Sequence, residues 1–187
     1  KIDNKKESSK IGVVGLGYVG VPFFIEFAKK NLEVIGFDTD QKKIKSIRNG
    51  DNYLPHISQK EFKNLKNYRA TEMIEELKEC KTIIICLPTP IKTADNTPDL
   101  RYIKSFFKNA ENILQKNSLI ILVSTVYTGF TREIIGSYLI NAGFKIGKNI
   151  FLCFSPEREN PGSNDFNISN TPRLISGFTK NCVKRGE

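Results

Sequence analysis

The sequence predicts an α/β fold, a parallel sheet with helices packed on both of its faces, in a single domain. Two observations carry this. Short apolar runs rich in β-branched residues recur along the chain, at about 11–14, 33–37, 82–86, 118–123 and 149–154, the composition of strands buried on both faces. Stretches with helical spacing of apolar residues lie between most of them, so strand and helix alternate as a parallel sheet requires. The length of 187 residues, with 39% apolar and 26% charged residues, suits one globular domain with its own core.

The first strand, around Ile11, Val13 and Val14, runs into Gly15, Gly17 and Gly20 at the G-x-G-x-x-G spacing. In this pattern the first glycine lets the chain turn sharply, the second lets backbone approach a pyrophosphate, and the third lets helix pack against strand. The spacing alone is a weak signal. Here it follows a strand, opens a helix from about Val19 to Lys30, and leads to a second strand that delivers Asp38 eighteen residues after Gly20. That context specifies a Rossmann-type doubly wound sheet binding a dinucleotide, with the helix N-terminus at the phosphates and Asp38 on the adenosine ribose. A carboxylate there disfavours a 2′-phosphate, so the expected cofactor is NAD, although Lys42 and Lys43 stand close by.

Further along, Asp40 is placed to cap a helix from about Gln41 to Asn49 that Gly50 ends. Tyr53 to His56 reads as loop, followed by a polar helix near Ser58 to Lys66 and a short strand over Tyr68 to Ala70. Thr71 to Lys78 reads as a short helix capped by Thr71. The strand Thr82 to Cys86 runs into Leu87-Pro88-Thr89-Pro90, where two prolines stop the ladder. A long helix is expected over Asp99 to Gln115, with Ile103, Phe106, Phe107, Ala110 and Leu114 on one stripe. The strand Ser118 to Val123 leads to Ser124-Thr125, then to a helix from about Phe130 to Ala142 closed by Gly143. A sixth strand, Asn149 to Phe154, runs into Ser155-Pro-Glu157-Arg158, and Arg173 to Ser176 reads as a last short strand. Residues 1–9 read as a lead-in, 10–180 as the dinucleotide-binding domain, and 181–187 as the end of a domain cut short.

Composition narrows the function classes. The net charge of +9 comes from lysines scattered along the chain, with no aromatic-interleaved basic cluster, so a solvated surface that attracts polyanionic cofactors is expected rather than nucleic-acid binding. No apolar run reaches the roughly 20 residues of a membrane span. Cys80, Cys86, Cys153 and Cys182 show no metal-type spacing and His56 is the lone histidine, so no metal centre is expected. Thiols at the ends of apolar strands suit a reducing, cytoplasmic setting.

Five segments together resemble the NAD-binding domain of the UDP-glucose/GDP-mannose dehydrogenase family. They are Gly15-Leu-Gly-Tyr-Val-Gly20, Phe37-Asp38 with Lys43 five residues on, Cys86-Leu-Pro-Thr-Pro90, Ser124-Thr-Val-Tyr127, and Ser155-Pro-Glu-Arg158 with Pro161-Gly162. The last of these is most similar to the branch acting on UDP-N-acetylmannosamine or UDP-N-acetylglucosamine, because Pro161 stands where UDP-glucose enzymes tend to carry a second acid. The resemblance implies oxidation of a sugar C6 hydroxyl to a carboxylate in two NAD-dependent steps, through a cysteine thiohemiacetal and thioester, in a homodimeric protein. It implies Tyr18 and Val19 backbone on the pyrophosphate, and Asp38 and Lys43 at the ribose. It further implies Thr89 and Thr125 beside the cofactor, Thr125 also holding a catalytic water, Glu157 as acid/base, and Arg158 at the substrate. A carboxylate at a strand end facing a partly dry cleft suits that acid/base role.

Each residue also has a plainer reading: turn chemistry for Thr89, a helix cap for Thr125, a surface ion pair for Glu157, and a solvated lysine for Lys43. The family's nucleophile sits in a glycine-rich Cys-x-x-Lys-Asp segment. Asn181-Cys-Val-Lys184 lacks the flanking glycines and the aspartate. The chain alone is therefore expected to bind NAD without completing the oxidation. The alternatives are part of a UDP-glucose 6-dehydrogenase, a short NAD-dependent oxidoreductase of another kind, or a non-catalytic dinucleotide-binding module.

Overall fold

The computed structural model describes residues 10–157 and 172–187. The readings of 1–9 as a lead-in and of Arg158, Pro161 and Gly162 as a motif lie outside the described residues. Strands β1 (Lys10–Val14), β2 (Val34–Phe37), β3 (Tyr68–Thr71), β4 (Cys80–Ile85), β5 (Leu119–Leu122), β6 (Phe151–Phe154) and β7 (Ser176–Gly177) form one sheet in the order β3-β2-β1-β4-β5-β6-β7. The first six are parallel, and β7 pairs antiparallel with β6.

Successive residues of these strands face opposite sides of the sheet, and both sides are apolar. Val14, Ile83, Ile85, Ile120 and Leu122 face one core, shared with Ile103, Phe106 and Phe107 of α4 (Arg101–Asn109) and Leu139 of α5 (Ser137–Asn141). Val13, Val34 and Ile84 face the other core. That second core is built with Val21, Phe24 and Ile25 of α1 (Gly20–Lys29), Ile44 and Ile47 of α2 (Gln41–Asn49), and Phe62 of α3 (Gln59–Lys63). The doubly wound Rossmann-type sheet expected from the sequence is thus the observed fold.

The parallel register aligns the carboxyl ends. Thr71 pairs with Phe37, Phe37 with Val14, Val14 with Ile85, Ile85 with Leu122, and Leu122 with Phe154. The sheet order reverses between β1 and β4, and ligands of open α/β sheets bind outside the strand ends at such a point. The next residues, Gly15, Asp38, Cys86, Val123 and Ser155, all emerge along this one edge.

Several element limits differ from the sequence reading. Thr71 ends β3 rather than capping a helix. Its Oγ1 accepts the Met73 N–H at 3.0 Å, and a tight 3₁₀ segment, Ile74–Glu79, makes the short passage into β4. The long helix is shorter than expected: α4 closes at Ala110, and Ile113 and Leu114 continue by turns that donate to the Ala110 carbonyl. All five residues of its predicted apolar stripe are nonetheless buried. The helix after β5 begins as a π-helix, Thr131–Gly136, before α5, and the Phe178 ring lies against Gly136. The polar helix is the short α3, with Ser58 and Glu61 forming a capping box. The last strand is two residues long and sits at 176–177 rather than 173–176. A helix the sequence reading omits, α6 (Lys180–Gly186), is capped by the Thr179 side chain and buries Cys182 against β6.

Candidate cofactor cleft

The glycine turn is built as its spacing requires. Gly15 has φ +90°, a conformation side chains rarely adopt, and a Cβ there would lie 2.8 Å from the Cys86 carbonyl oxygen. A Cβ on Gly20 would fall 1.8 Å from the Gly15 carbonyl oxygen, so the helix start can close on the turn only as glycine. At Gly17, by contrast, nothing stands within 4 Å of the added atom. The space left open there is where a phosphate can approach backbone. Val19, at the N-cap of α1, supplies no side-chain cap, and the first turn of the helix carries no acidic residue. The Val21 N–H donates to the Gly17 carbonyl at 3.1 Å, which leaves the N–H groups ahead of it, and the helix dipole, for an external anion. The residues present therefore fit a dinucleotide.

Asp38 is 9% exposed and does more than wait for a ribose. Its Oδ2 accepts the Leu16 N–H at 2.8 Å and pairs with Lys43 Nζ at 3.1 Å, while Oδ1 accepts the Asp40 N–H at 2.9 Å. Three contacts leave acceptor capacity on the two oxygens for a ribose hydroxyl. The Leu16 carbonyl in turn accepts the Tyr53 hydroxyl at 2.7 Å. Burial, with Asp38 and Asp40 nearby, pushes the Tyr53 phenol upward, so it stays a neutral donor. Asp40 caps α2 as expected, accepting the Lys42 N–H at 2.9 Å.

Gly15, Gly17, Tyr18, Val19, Asp38 and Lys43 line one cleft of about 470 Å³, together with Thr89, Thr125 and Glu157. Of the other predicted site residues, Gly20 lies beneath the turn and Arg158 falls outside the described residues. Thr89 follows β4 in the proline loop, which the Asp99 N–H ties back by donating to the Pro90 carbonyl at 2.7 Å. Thr125 is exposed at the cleft wall, held by Ser124, whose Oγ donates to the Ile85 carbonyl at 3.3 Å. Glu157 stands past the end of β6 with its side chain 15% exposed, 3.4 Å from Arg173.

Sequence reasoning missed Tyr102 as a cleft residue. Its ring, 48% exposed on the first turn of α4, also lines the cleft. The signal was its place off the buried stripe, an aromatic facing away from the core. His56 is not part of the cleft lining, but its ring packs against that of Tyr18, which is, with centroids 3.9 Å apart and planes tilted by 33°. A second, more open hollow lies at the amino-terminal edge of the sheet, around Lys10, Val34 and Tyr68. It has neither a glycine turn nor a helix N-terminus. Among the described residues no group of three or more His, Cys, Asp or Glu side chains could hold a metal ion, and no helix is long and apolar enough to cross a membrane.

Fold and cleft together define a dinucleotide-binding domain of the dehydrogenase kind. Residues 9–187 match the model of the UDP-glucose/GDP-mannose dehydrogenase family, NAD binding domain, and the chain belongs to that family. It is 34% identical over 171 residues to UDP-N-acetyl-D-glucosamine 6-dehydrogenase of Salmonella typhi, covering 91% of this chain and 40% of that protein. It is 30% identical over 182 residues to UDP-N-acetyl-D-mannosamine dehydrogenase of Pyrococcus horikoshii, covering 95% of this chain and 43% of that one. The structure of the UDP-N-acetyl-mannosamine dehydrogenase from S. aureus superimposes with a TM-score of 0.85 at 29% identity, over 95% of this chain and 43% of that chain. The chain thus spans about 40% of the length of the curated relatives it matches.

Proposed function

We propose that this chain is the cofactor half of a nucleotide-sugar 6-dehydrogenase that oxidises the C6 hydroxyl of a UDP-N-acetylhexosamine to a carboxylate in two NAD-dependent steps. The observation that carries the reading is the glycine turn, Asp38 and the Glu157 carboxylate on the wall of one cleft. NAD, when bound, supplies the hydride acceptor. The N–H groups of the turn and of the first turn of α1 hold its pyrophosphate, with the backbone of Tyr18 and Val19 against it. Asp38, backed by Lys43, takes the adenosine ribose hydroxyls and rejects a 2′-phosphate. Thr89 and Thr125 flank the cofactor, and Thr125 also holds a water. Glu157 accepts or returns the proton at the sugar oxygen. Arg158 contacts the substrate.

The thiol that the second step needs is assigned to the whole protein outside this chain. All four cysteines here are buried and none is in a disulfide. Burial pushes the Cys80 thiol up to about 12 and that of Cys153 to about 11, the opposite of what a nucleophile requires. The names of the relatives support an N-acetylhexosamine substrate over UDP-glucose. We further propose a homodimer in the cytoplasm, the latter supported by four buried cysteines that form no disulfide.

Calorimetric titration of the chain tests the cofactor assignment: NAD should bind and NADP should bind at least about tenfold more weakly. In the whole protein acting on UDP-N-acetylmannosamine or UDP-N-acetylglucosamine, Glu157→Gln should lower kcat by about 10²-fold or more. An unchanged rate removes Glu157 from the chemistry.

A further inference from the structure

We infer that Arg173 positions Glu157, helping to hold the carboxylate on the cleft wall and tying it to the helix that opens the glycine turn. The inference rests on the acid/base reading of Glu157 and goes beyond it. The register of the one antiparallel pair is the starting point. Cys153 faces Gly177 and Phe154 faces Ser176. Each step forward along β6 is therefore a step back along the chain entering β7, and three steps past Phe154–Ser176 bring Glu157 opposite Arg173. The side chains meet there, with Arg173 Nη2 3.4 Å from Glu157 Oε1. Directly opposed residues of an antiparallel pair project to the same side, and the contact is where that register, carried three residues beyond the two-pair ladder, would put it. A parallel β7 would carry Arg173 away from the carboxyl edge.

The guanidinium has a second anchor. Its Cζ lies 4.5 Å from the centroid of the Phe23 ring, on α1 and three residues past Gly20. A planar cation stacked on an aromatic face and pointed at a carboxylate is fixed in orientation as well as place. The two side chains are only 19% and 15% exposed, so each charge has lost most of its water and the contact between them is made in a partly dry setting. Three elements thereby meet at Arg173: the end of β6, the entry to β7, and α1. Glu157 is the member of this group that lines the cofactor cleft, so what Arg173 fixes is the carboxylate that faces the bound cofactor.

The test is a double-mutant cycle in the whole protein, with kcat and the NAD dissociation constant measured for Arg173→Gln, Glu157→Gln and the pair. If Arg173 acts through Glu157, R173Q lowers kcat by about tenfold or more in the parent. In the E157Q background it lowers kcat by less than about twofold, and NAD affinity stays within about threefold throughout. An equal loss in both backgrounds, an unchanged kcat for R173Q, or a loss carried wholly by NAD affinity overturns the assignment to Arg173 and leaves Glu157 in its role. An E157Q protein that turns over at the parent rate instead removes the acid/base reading itself. Should R173Q not fold, Arg173→Lys decides by the same cycle. It keeps the charge and loses the planar stack, so its smaller loss of kcat must likewise vanish beside E157Q, and a loss that persists there overturns the proposal.

Discussion

At the scale of single residues, the glycine turn separates two demands that one motif conceals. Gly20 is required by the fold, because a Cβ there would overlap the Gly15 carbonyl. Gly17 is not, because its Cβ would meet only open space. Gly17→Val should therefore melt within a few degrees of the parent while weakening NAD binding by about tenfold or more, whereas Gly20→Val should lose stability and binding together by several kcal/mol. Calorimetric titration beside thermal melting distinguishes the two, and a Gly17→Val protein that binds NAD like the parent would show that the cleft is approached elsewhere. Asp38 shows the opposite economy, one carboxylate bound to Leu16, Asp40 and Lys43 and still with room for a ribose hydroxyl. The sequence announced Asp38 by its distance from the turn. It did not announce Arg173, which lies 16 residues from Glu157 and meets it only through a strand reversal that no local pattern encodes.

At the scale of elements, apolar periodicity reports which side chains are buried, and it did so well. The stripe on α4 is buried to its last member although the helix stops five residues before that member. Helix ends depend instead on where backbone hydrogen bonds go, and those are decided by neighbours. Thr71 is drawn into the β3 ladder by Phe37, and the residues after it tighten into a 3₁₀ segment to reach β4. The cap signal at Thr179 was present in the sequence and marks α6 in the structure, with the side chain accepting the Cys182 N–H. The start of α4 gives a pH-dependent test. Hydrogen bonds from the Arg101 guanidinium and backbone N–H hold the Asp99 carboxyl down to about 2. A carboxyl depressed in the folded state adds stability that is present above its ordinary value near pH 4 and lost as pH falls through about 2. Asp99→Asn should accordingly be less stable than the parent at neutral pH, with the difference fading between about pH 4 and pH 2 in urea melts.

At the scale of the whole molecule, a sheet buried on both faces and a common carboxyl edge were legible in the alternation of apolar runs and helices. The topological switch beside β1 and β4 then made one edge the candidate site, and the predicted residues that the structure describes converge there without any being adjacent in sequence beyond their own loops. One feature of that edge bears on rate as well as affinity. Both polar groups of Leu16 are already satisfied, its N–H by Asp38 and its carbonyl by Tyr53, before any dinucleotide arrives. The Leu16 backbone does not have to be ordered on arrival, so at the glycine turn capture of the cofactor should be governed by diffusion and charge rather than by folding. With a net charge of +9, the chain should draw the anionic pyrophosphate in from solution. Stopped-flow association with NAD should accordingly slow as salt is raised from about 0.01 to 0.5 M, while dissociation changes far less, and a salt-independent association rate would point to a loop that still has to move.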